Sequence, residues 1–169
     1  MGGDRRVEEG LLVTGILAAE GVSLHSVQAR LMDSWGPVIA ASVVAPFTQT
    51  TYYAREMGPG LRRQFLAFER RLDPALLAAV KREGIAIEAE WMDGANRRVN
   101  IDPGCLTRAK LILASTKDHA HRIPLGDGIH AEVTLVYHRG RGYEPWPWTY
   151  PDYREEWVRA WFAEARRHL

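Results

Sequence analysis

Hydrophobic positions along the chain change period several times, and each change marks an element. Leu11, Leu12, Val13, Gly15, Ile16 and Leu17 form a near-continuous apolar run, the pattern of a strand buried on both faces and therefore central in its sheet. From Ser23 the period lengthens: Leu24, Val27, Leu31 and Trp35 recur at helical spacing, with Ser23 as a side-chain cap and Gly36-Pro37 as the stop. Val38 to Phe47 is β-branched and apolar and predicts a second strand. Thr48 to Gly60, rich in Thr and Tyr and ending in Met-Gly-Pro-Gly, predicts a turn or loop. Leu61 to Leu72 fits both periods in part, and the shared face of Gln64, Leu66 and Phe68 favours a strand. Asp73-Pro74 caps a helix that turns Leu77, Val80, Ile87 and Trp91 inward, with Gly84 as its weak point.

Beyond Asp93-Gly94 the apolar runs are short and strand-like: Val99 and Ile101, Leu111 to Ala114, Ile123 and Leu125, then Val133, Leu135 and Tyr137. Gly126-Asp127-Gly128 is a hairpin signal. Tyr143 to Tyr153, with three prolines and two tryptophans, predicts an extended strap. Burial of Trp146 and Trp148 over a sheet edge is expected, since each hides roughly 150–250 Å². From Asp152 to Leu169 a closing helix carries Trp157, Val158, Trp161, Phe162 and Ala165 on one face. The order is strand, helix, strand, strand, helix, strand, then a hairpin region and a last helix. It predicts an α+β fold with a ferredoxin-like βαββαβ core, an antiparallel-rich sheet and helices mainly on one face.

A length of 169 residues with 46% hydrophobic content predicts one domain over 1–169, with 1–9 as a flexible start. A formal net charge of +1 makes any electrostatic function local. Cys105 is the only cysteine, so no internal disulfide forms, no cysteine-based zinc site is built, and a reduced cytoplasmic home is the simplest reading. Arg5 and Arg6 ahead of Leu11 to Ala19 resemble a secretion signal only superficially, because Glu8 and Glu9 intervene. No run approaches a membrane span.

Several ordered motifs carry a resemblance. Tyr52-Tyr53-x-x-Glu56-Met57-Gly58, Asn100-x-Asp102-Pro103-Gly104, Ser115-Thr116-Lys117-Asp118, His121-Arg122-Ile123, Glu132-Val133-Thr134-Leu135 and Trp148-Thr149-Tyr150-Pro151-Asp152-Tyr153 resemble bacterial domain-of-unknown-function family 4416, from about Leu11 to the final helix. Cys105, Pro124 and Thr51 depart from the family pattern. The resemblance implies no activity.

Asn96 to Arg122 holds six basic side chains, two acids and two histidines, a density that suggests anion handling. If its segments pair as strands, Asp102, Lys117, His121, Arg122 and Glu132 converge. Lys117 and Arg122 would then clamp phosphate or carboxylate oxygens, His121 would move a proton, and Asp102 and Glu132 would orient the cations or hold a divalent ion. The structural alternative has Asp102 shaping a turn and Arg122 pairing with Glu132 across a hairpin. Tyr52, Tyr53 and Glu56 form a second candidate, a loop closing over a ligand. His119 and His121 at i, i+2 share a strand face, yet no third zinc ligand is marked. Arg55, Arg62, Arg63, Arg70 and Arg71 extend the basic set toward a nucleic-acid surface. Two functions therefore stand. One is a small enzyme acting on a phosphate- or carboxylate-bearing, nucleotide-like ligand without an obligate cofactor. The other is a non-catalytic module binding RNA or a protein partner. Oligomeric state is not readable.

Overall fold

A computed structural model describes residues 7–169; the expected flexibility of the first nine residues, and the residues Arg5 and Arg6, fall wholly or partly outside the described part. In chain order the elements are β1 (Gly10–Ala18), α1 (Leu24–Trp35), β2 (Val38–Ala41), β3 (Ala45–Pro46), α2 (Ala54–Met57), β4 (Arg62–Leu72), α3 (Leu77–Glu88), β5 (Met92–Asp93), β6 (Asn96–Arg97), β7 (Val99–Leu106), β8 (Lys110–Ser115), β9 (Ile123–Gly126), β10 (Ile129–His138), β11 (Gly142–Pro145) and α4 (Glu156–Ala165). The main sheet runs β11-β10-β8-β7-β1-β4-β2, with β3 beside β4 and β9 beside β10. Its neighbouring strands pair antiparallel. The fold is a mixed α+β arrangement of this sheet with four helices.

The unbroken apolar run of β1 is explained by its place: β4 flanks it on one side and β7 on the other, and every residue from Gly10 to Ala18 is buried. Alternate side chains serve two cores. Leu12 and Ile16 meet Leu24, Val27, Leu31 and Trp35 of α1 and Leu77, Val80 and Ile87 of α3. Leu11 and Val13 meet Phe65, Tyr143, Tyr153 and, from α4, Val158, Phe162 and Ala165. The helices thus divide between the faces, and α4 lies opposite α1 and α3.

Local signals explain most boundaries. Ser23 Oγ accepts the Ser26 N–H at 3.2 Å, and α1 stops at Gly36, whose φ of 88° suits glycine. Asp73 accepts the Ala75 N–H at 2.9 Å, opening a short 3-10 turn before α3. The hairpin signal forms a two-residue turn between β9 and β10, with Asp127 at φ 52° and Gly128 at φ 69°.

Three expectations shift. Val38 to Phe47 is not one strand: at Ser42 the hydroxyl accepts the Phe65 N–H at 2.9 Å in place of a backbone carbonyl, and Val43 and Val44 turn outward. The loop before β4 contains one helical turn, α2. The last helix begins at Glu156, because Glu155 has extended backbone (φ −57°, ψ 136°) that separates it from a 3-10 turn at Pro151–Arg154.

Candidate functional site

A defect in the sheet builds the site. β7 pairs with β8 only from Gly104 to Leu106, whereas on its other side it pairs with β1 from Val99 to Leu106. In β7 the Ile101 N–H and C=O point toward β8, and with a two-residue period Pro103 faces the same way but has no N–H to give. The strands separate there, and α3 supplies the missing partners: Glu88 Oε1 accepts the Ile101 N–H at 2.6 Å, and Lys81 Nζ donates to the Ile101 carbonyl at 2.7 Å. Two buried charges on the inward stripe of α3 thus act as substitute strand groups.

The notch is a cavity of about 70 Å³ lined by residues that include Lys81, Glu88, Arg97, Asn100, Asp102, Ser115, Thr116, Lys117, Tyr53 and Tyr150. Asp102 gathers two of the other lining residues around its carboxylate. Lys81 Nζ lies 3.4 Å from Asp102 Oδ1, and Asn100 Nδ2 donates to Asp102 Oδ2 at 2.7 Å. Burial alone would raise the Asp102 carboxyl, but Lys81, Arg63 and the Asn100 amide outweigh it and hold the group below its ordinary range. Glu88 goes the other way: burial raises its carboxyl despite Lys81 and the Ile101 amide. Two acids in one cavity with opposite shifts can divide proton-holding from charge-holding.

At the outer end Arg97 is fully engaged. It bonds Glu56 at 2.7 and 3.0 Å, Glu88 at 3.2 Å and Asn100 at 2.9 Å, and its hydrogen bond draws the Glu56 carboxyl down. Lys117 Nζ sits 3.7 Å from the centre of the Tyr52 ring. Tyr53 packs edge-on against Phe47 at 6.0 Å and Tyr52 at 5.0 Å.

Of the residues singled out in the sequence, Asp102, Lys117 and Tyr53 therefore line the notch, while Tyr52 and Glu56 hold Lys117 and Arg97. Arg122 touches it indirectly. Its Nε donates to Glu132 Oε2 at 2.8 Å, NH1 to Ser115 Oγ at 2.9 Å and to the Lys117 carbonyl at 2.8 Å, and NH2 to Tyr150 OH at 2.5 Å. With all three nitrogens occupied, Arg122 positions Ser115 and Tyr150 and has no edge left for an anion. His121 and Glu132 are not brought to the notch. They line a separate groove of about 370 Å³ with Ile112, Ile123, Leu125 and Trp148, where His121 Nε2 lies 3.0 Å from Glu132 Oε2. Asp102 and Glu132 thus face different openings, and His119 stacks on His121 at 5.8 Å. Among the described residues no group of three or more His, Cys, Asp or Glu side chains is arranged to hold a metal ion.

The strap corrects an expectation. Trp146 and Trp148 are 40% and 38% exposed, because they stack on each other at 5.2 Å and Trp148 stacks on His121 at 5.2 Å instead of entering the core. The arginine set is dispersed too: Arg62 caps the Ala19 and Val22 carbonyls, Arg63 is buried, Arg70 reaches Glu83 and Arg71 bonds the His168 carbonyl.

A family model matches residues 8–169. The chain belongs to the family described as Domain of unknown function (DUF4416). Membership spans the notch and the groove alike and assigns chemistry to neither. Comparison with curated proteins and with solved structures finds no match. Among the described residues no helix of this DUF4416 chain is long and apolar enough to cross a membrane.

Sequence reasoning missed Lys81, Glu88 and Arg97 as individual site residues and placed Arg63 in a nucleic-acid surface instead of here. Three of these had a readable signal: Lys81 and Glu88 share the helical stripe of Leu77 and Gly84, and Arg63 alternates with Phe65 and Ala67 on an inward strand face. A charge on a buried stripe is more informative than charge density.

Proposed function

We propose that this protein binds a small phosphate- or carboxylate-bearing ligand in the notch between β7 and β8 and acts on it as a small enzyme. One observation carries the reading: the gap beside Pro103 is lined by Lys81, Lys117, Ser115 and Thr116 together with Glu88 and Asp102, two carboxyls whose proton affinities are shifted in opposite directions. A volume of 70 Å³ equals about five water sites, which suits a phosphate or carboxylate group. Lys117 and Lys81 would hold the anion, Tyr53 and Tyr150 would wall it, and Glu88 would carry the proton. An arriving anion further favours the protonated form of Glu88. No cofactor is required by this reading. The core of β1, α1, β2, β4, α3 and β7 is read as ferredoxin-like on the strand order β7-β1-β4-β2, within one domain. The single cysteine, Cys105, buried and without a disulfide partner, supports a cytoplasmic location.

The test is a thermal-shift screen of phosphate, nucleotides and small carboxylates, repeated with Lys117→Ala. Stabilisation that disappears in the variant supports the site; no shift with any anion at high concentration removes it. The rival reading, a module that binds RNA or protein without catalysis, is favoured by the exposed column Trp146, Trp148, His121 and His119. Trp148→Ala separates the two, since only the module loses its ligand.

A further inference from the structure

Behind the notch lies a second, smaller chamber of about 40 Å³, lined in part by Phe47, Arg63, Asp102, Tyr150, Asp152 and Tyr153. It adjoins the notch through Tyr53, Asp102 and Tyr150, which line both. β1 carries Gly15 opposite Asp102 and Phe65, beside two of the residues that line this space, Arg63 and Tyr153. A Cβ there would stand 2.8 Å from Tyr153 OH and 3.1 Å from Arg63 NH1, so even alanine would press on the polar groups of the chamber.

Those groups are unmet. Arg63 is 4% exposed, Asp152 5% and Tyr153 1%, yet Arg63 Nε, Arg63 NH1, Asp152 Oδ2 and Tyr153 OH have no hydrogen-bond partner. Arg63 NH2 lies 2.6 Å from Asp152 Oδ2 but off the hydrogen-bonding axis, and NH1 lies 3.6 Å from Asp102 Oδ2. Buried polar groups are nearly always paired, so a set of two donors, one acceptor and one hydroxyl around a single space marks what that space receives. Charge narrows the choice. Arg63 faces the carboxylates Asp102 and Asp152, and Lys81 reaches Asp102 from the notch side, so the charges around the chamber already balance and it offers no unmatched cation to a second anion. A neutral group is required that accepts from Arg63 and Tyr153 and donates to Asp152. Its size is also set: 40 Å³ equals about three water sites, room for three or four heavy atoms.

We propose that the inner chamber receives an uncharged carbonyl-NH group, such as a carboxamide or carbamoyl end, so that the ligand is a small amide-bearing anion. This rests on the notch as the anion site. The anionic end lies toward Lys117 and Lys81, and the amide end reaches past Asp102 to Arg63 and Asp152. Phosphate and carboxylate are alternative anionic ends, and the probe series below distinguishes them.

The experiment titrates the full chain by calorimetry with succinamate, succinate, butyrate and inorganic phosphate. Succinamate should bind about tenfold tighter than butyrate, the value of one added set of hydrogen bonds, and succinate should bind weakest of the three carbon acids. Tyr153→Phe, which removes only a hydroxyl, should erase part of the succinamate preference while leaving phosphate affinity unchanged. Asp152→Asn should raise succinate relative to succinamate by removing a charge that balances Arg63. Lys117→Ala should weaken all four probes. Equal affinity for succinamate and butyrate in the parent chain overturns the chamber's role while the anion site stands. Absence of binding by all four probes, phosphate included, overturns both.

Discussion

Among the described residues two arginines are buried, Arg122 and Arg63, and their surroundings differ in one respect. Around Arg122 every nitrogen has a partner, and Glu132 is shared with His121 and Thr134 at 3.0 Å each. Around Arg63 two nitrogens, a carboxylate oxygen and a phenol have none, and a cavity lies beside them. Both are charge clusters at the sheet, with Arg63 4% and Arg122 8% exposed. A complete network is a structural tie; an incomplete one with space is a site. Buried polar networks gain stability only when satisfied, so the open cluster carries a cost that binding can offset.

The comparison breaks most sharply at Arg122. Arg122→Ala leaves the buried Glu132 without its guanidinium, with only His121 and Thr134 beside it, and frees Ser115 and Tyr150, so a loss of about 3 kcal/mol is expected, read as a fall in the urea midpoint. If the loss is under about 1 kcal/mol, the range of a typical surface pair, the closed cluster is not the tie described. Gly15→Ala tests the open one. The Cβ contacts at 2.8 and 3.1 Å predict a cost of about 1–3 kcal/mol from overpacking. Because the added methyl displaces Tyr153 OH and Arg63 NH1, which line the chamber, succinamate should lose its advantage over butyrate even where the variant stays folded.

The legibility of these two regions was unequal for a physical reason. Periodicity reports which face of an element is buried, and so β1, α1, β4, α3 and the Asp127-Gly128 hairpin were readable from Leu, Val, Gly and Asp positions alone. Arg122 opposite Glu132 was also readable, as a cross-hairpin pair. The notch was not, because it depends on where two strands stop pairing, and only Pro103 announces that stop. Asp102, Tyr53 and Lys117 were found as candidates, but their partners Arg63, Lys81 and Arg97 come from three other elements whose convergence is a tertiary fact. His121 and Glu132 were drawn in by proximity along the chain, yet Glu132 on β10 and His121 in the β8–β9 connection line another opening. The tryptophans of the strap misled for a related reason: large apolar area favours burial, but ring stacking on His121 gives Trp148 partners at the surface.

Protonation sharpens the comparison within the open cluster. The Asp102 and Glu56 carboxyls are held below their ordinary range, so their contribution to stability is present above the unfolded values, about 3.9 and 4.3, and is lost as pH falls through the folded values. Glu88 is raised by burial, so its contribution is full below its unfolded value and is lost as pH rises through the folded value. Denaturant midpoints from about pH 2 to pH 8 should fall on the acid side. Asp102→Asn should flatten that acid limb. Glu88→Gln should leave the acid limb in place and lessen the decline on the other side. An acid limb unchanged by Asp102→Asn would mean that Lys81, Arg63 and Asn100 do not hold that carboxylate as described.

The smallest expected effect on stability belongs to Lys117, and it separates site from scaffold most cleanly. Its side chain is exposed and its ammonium rests on the Tyr52 ring at 3.7 Å, with only its backbone carbonyl committed to Arg122. Truncation to alanine keeps that carbonyl, so stability should move by no more than about 0.5 kcal/mol. Affinity should respond differently. A hydrogen bond to a charged group contributes about 1.5–3 kcal/mol, so loss of the ammonium should weaken phosphate or succinamate by about tenfold or more. Calorimetry and urea unfolding on the same variant read the two quantities independently. A variant that unfolds with the parent and binds with the parent would leave the notch a structural defect bridged by α3, since no other lining cation combines an exposed side chain with an ammonium free of a carboxylate partner.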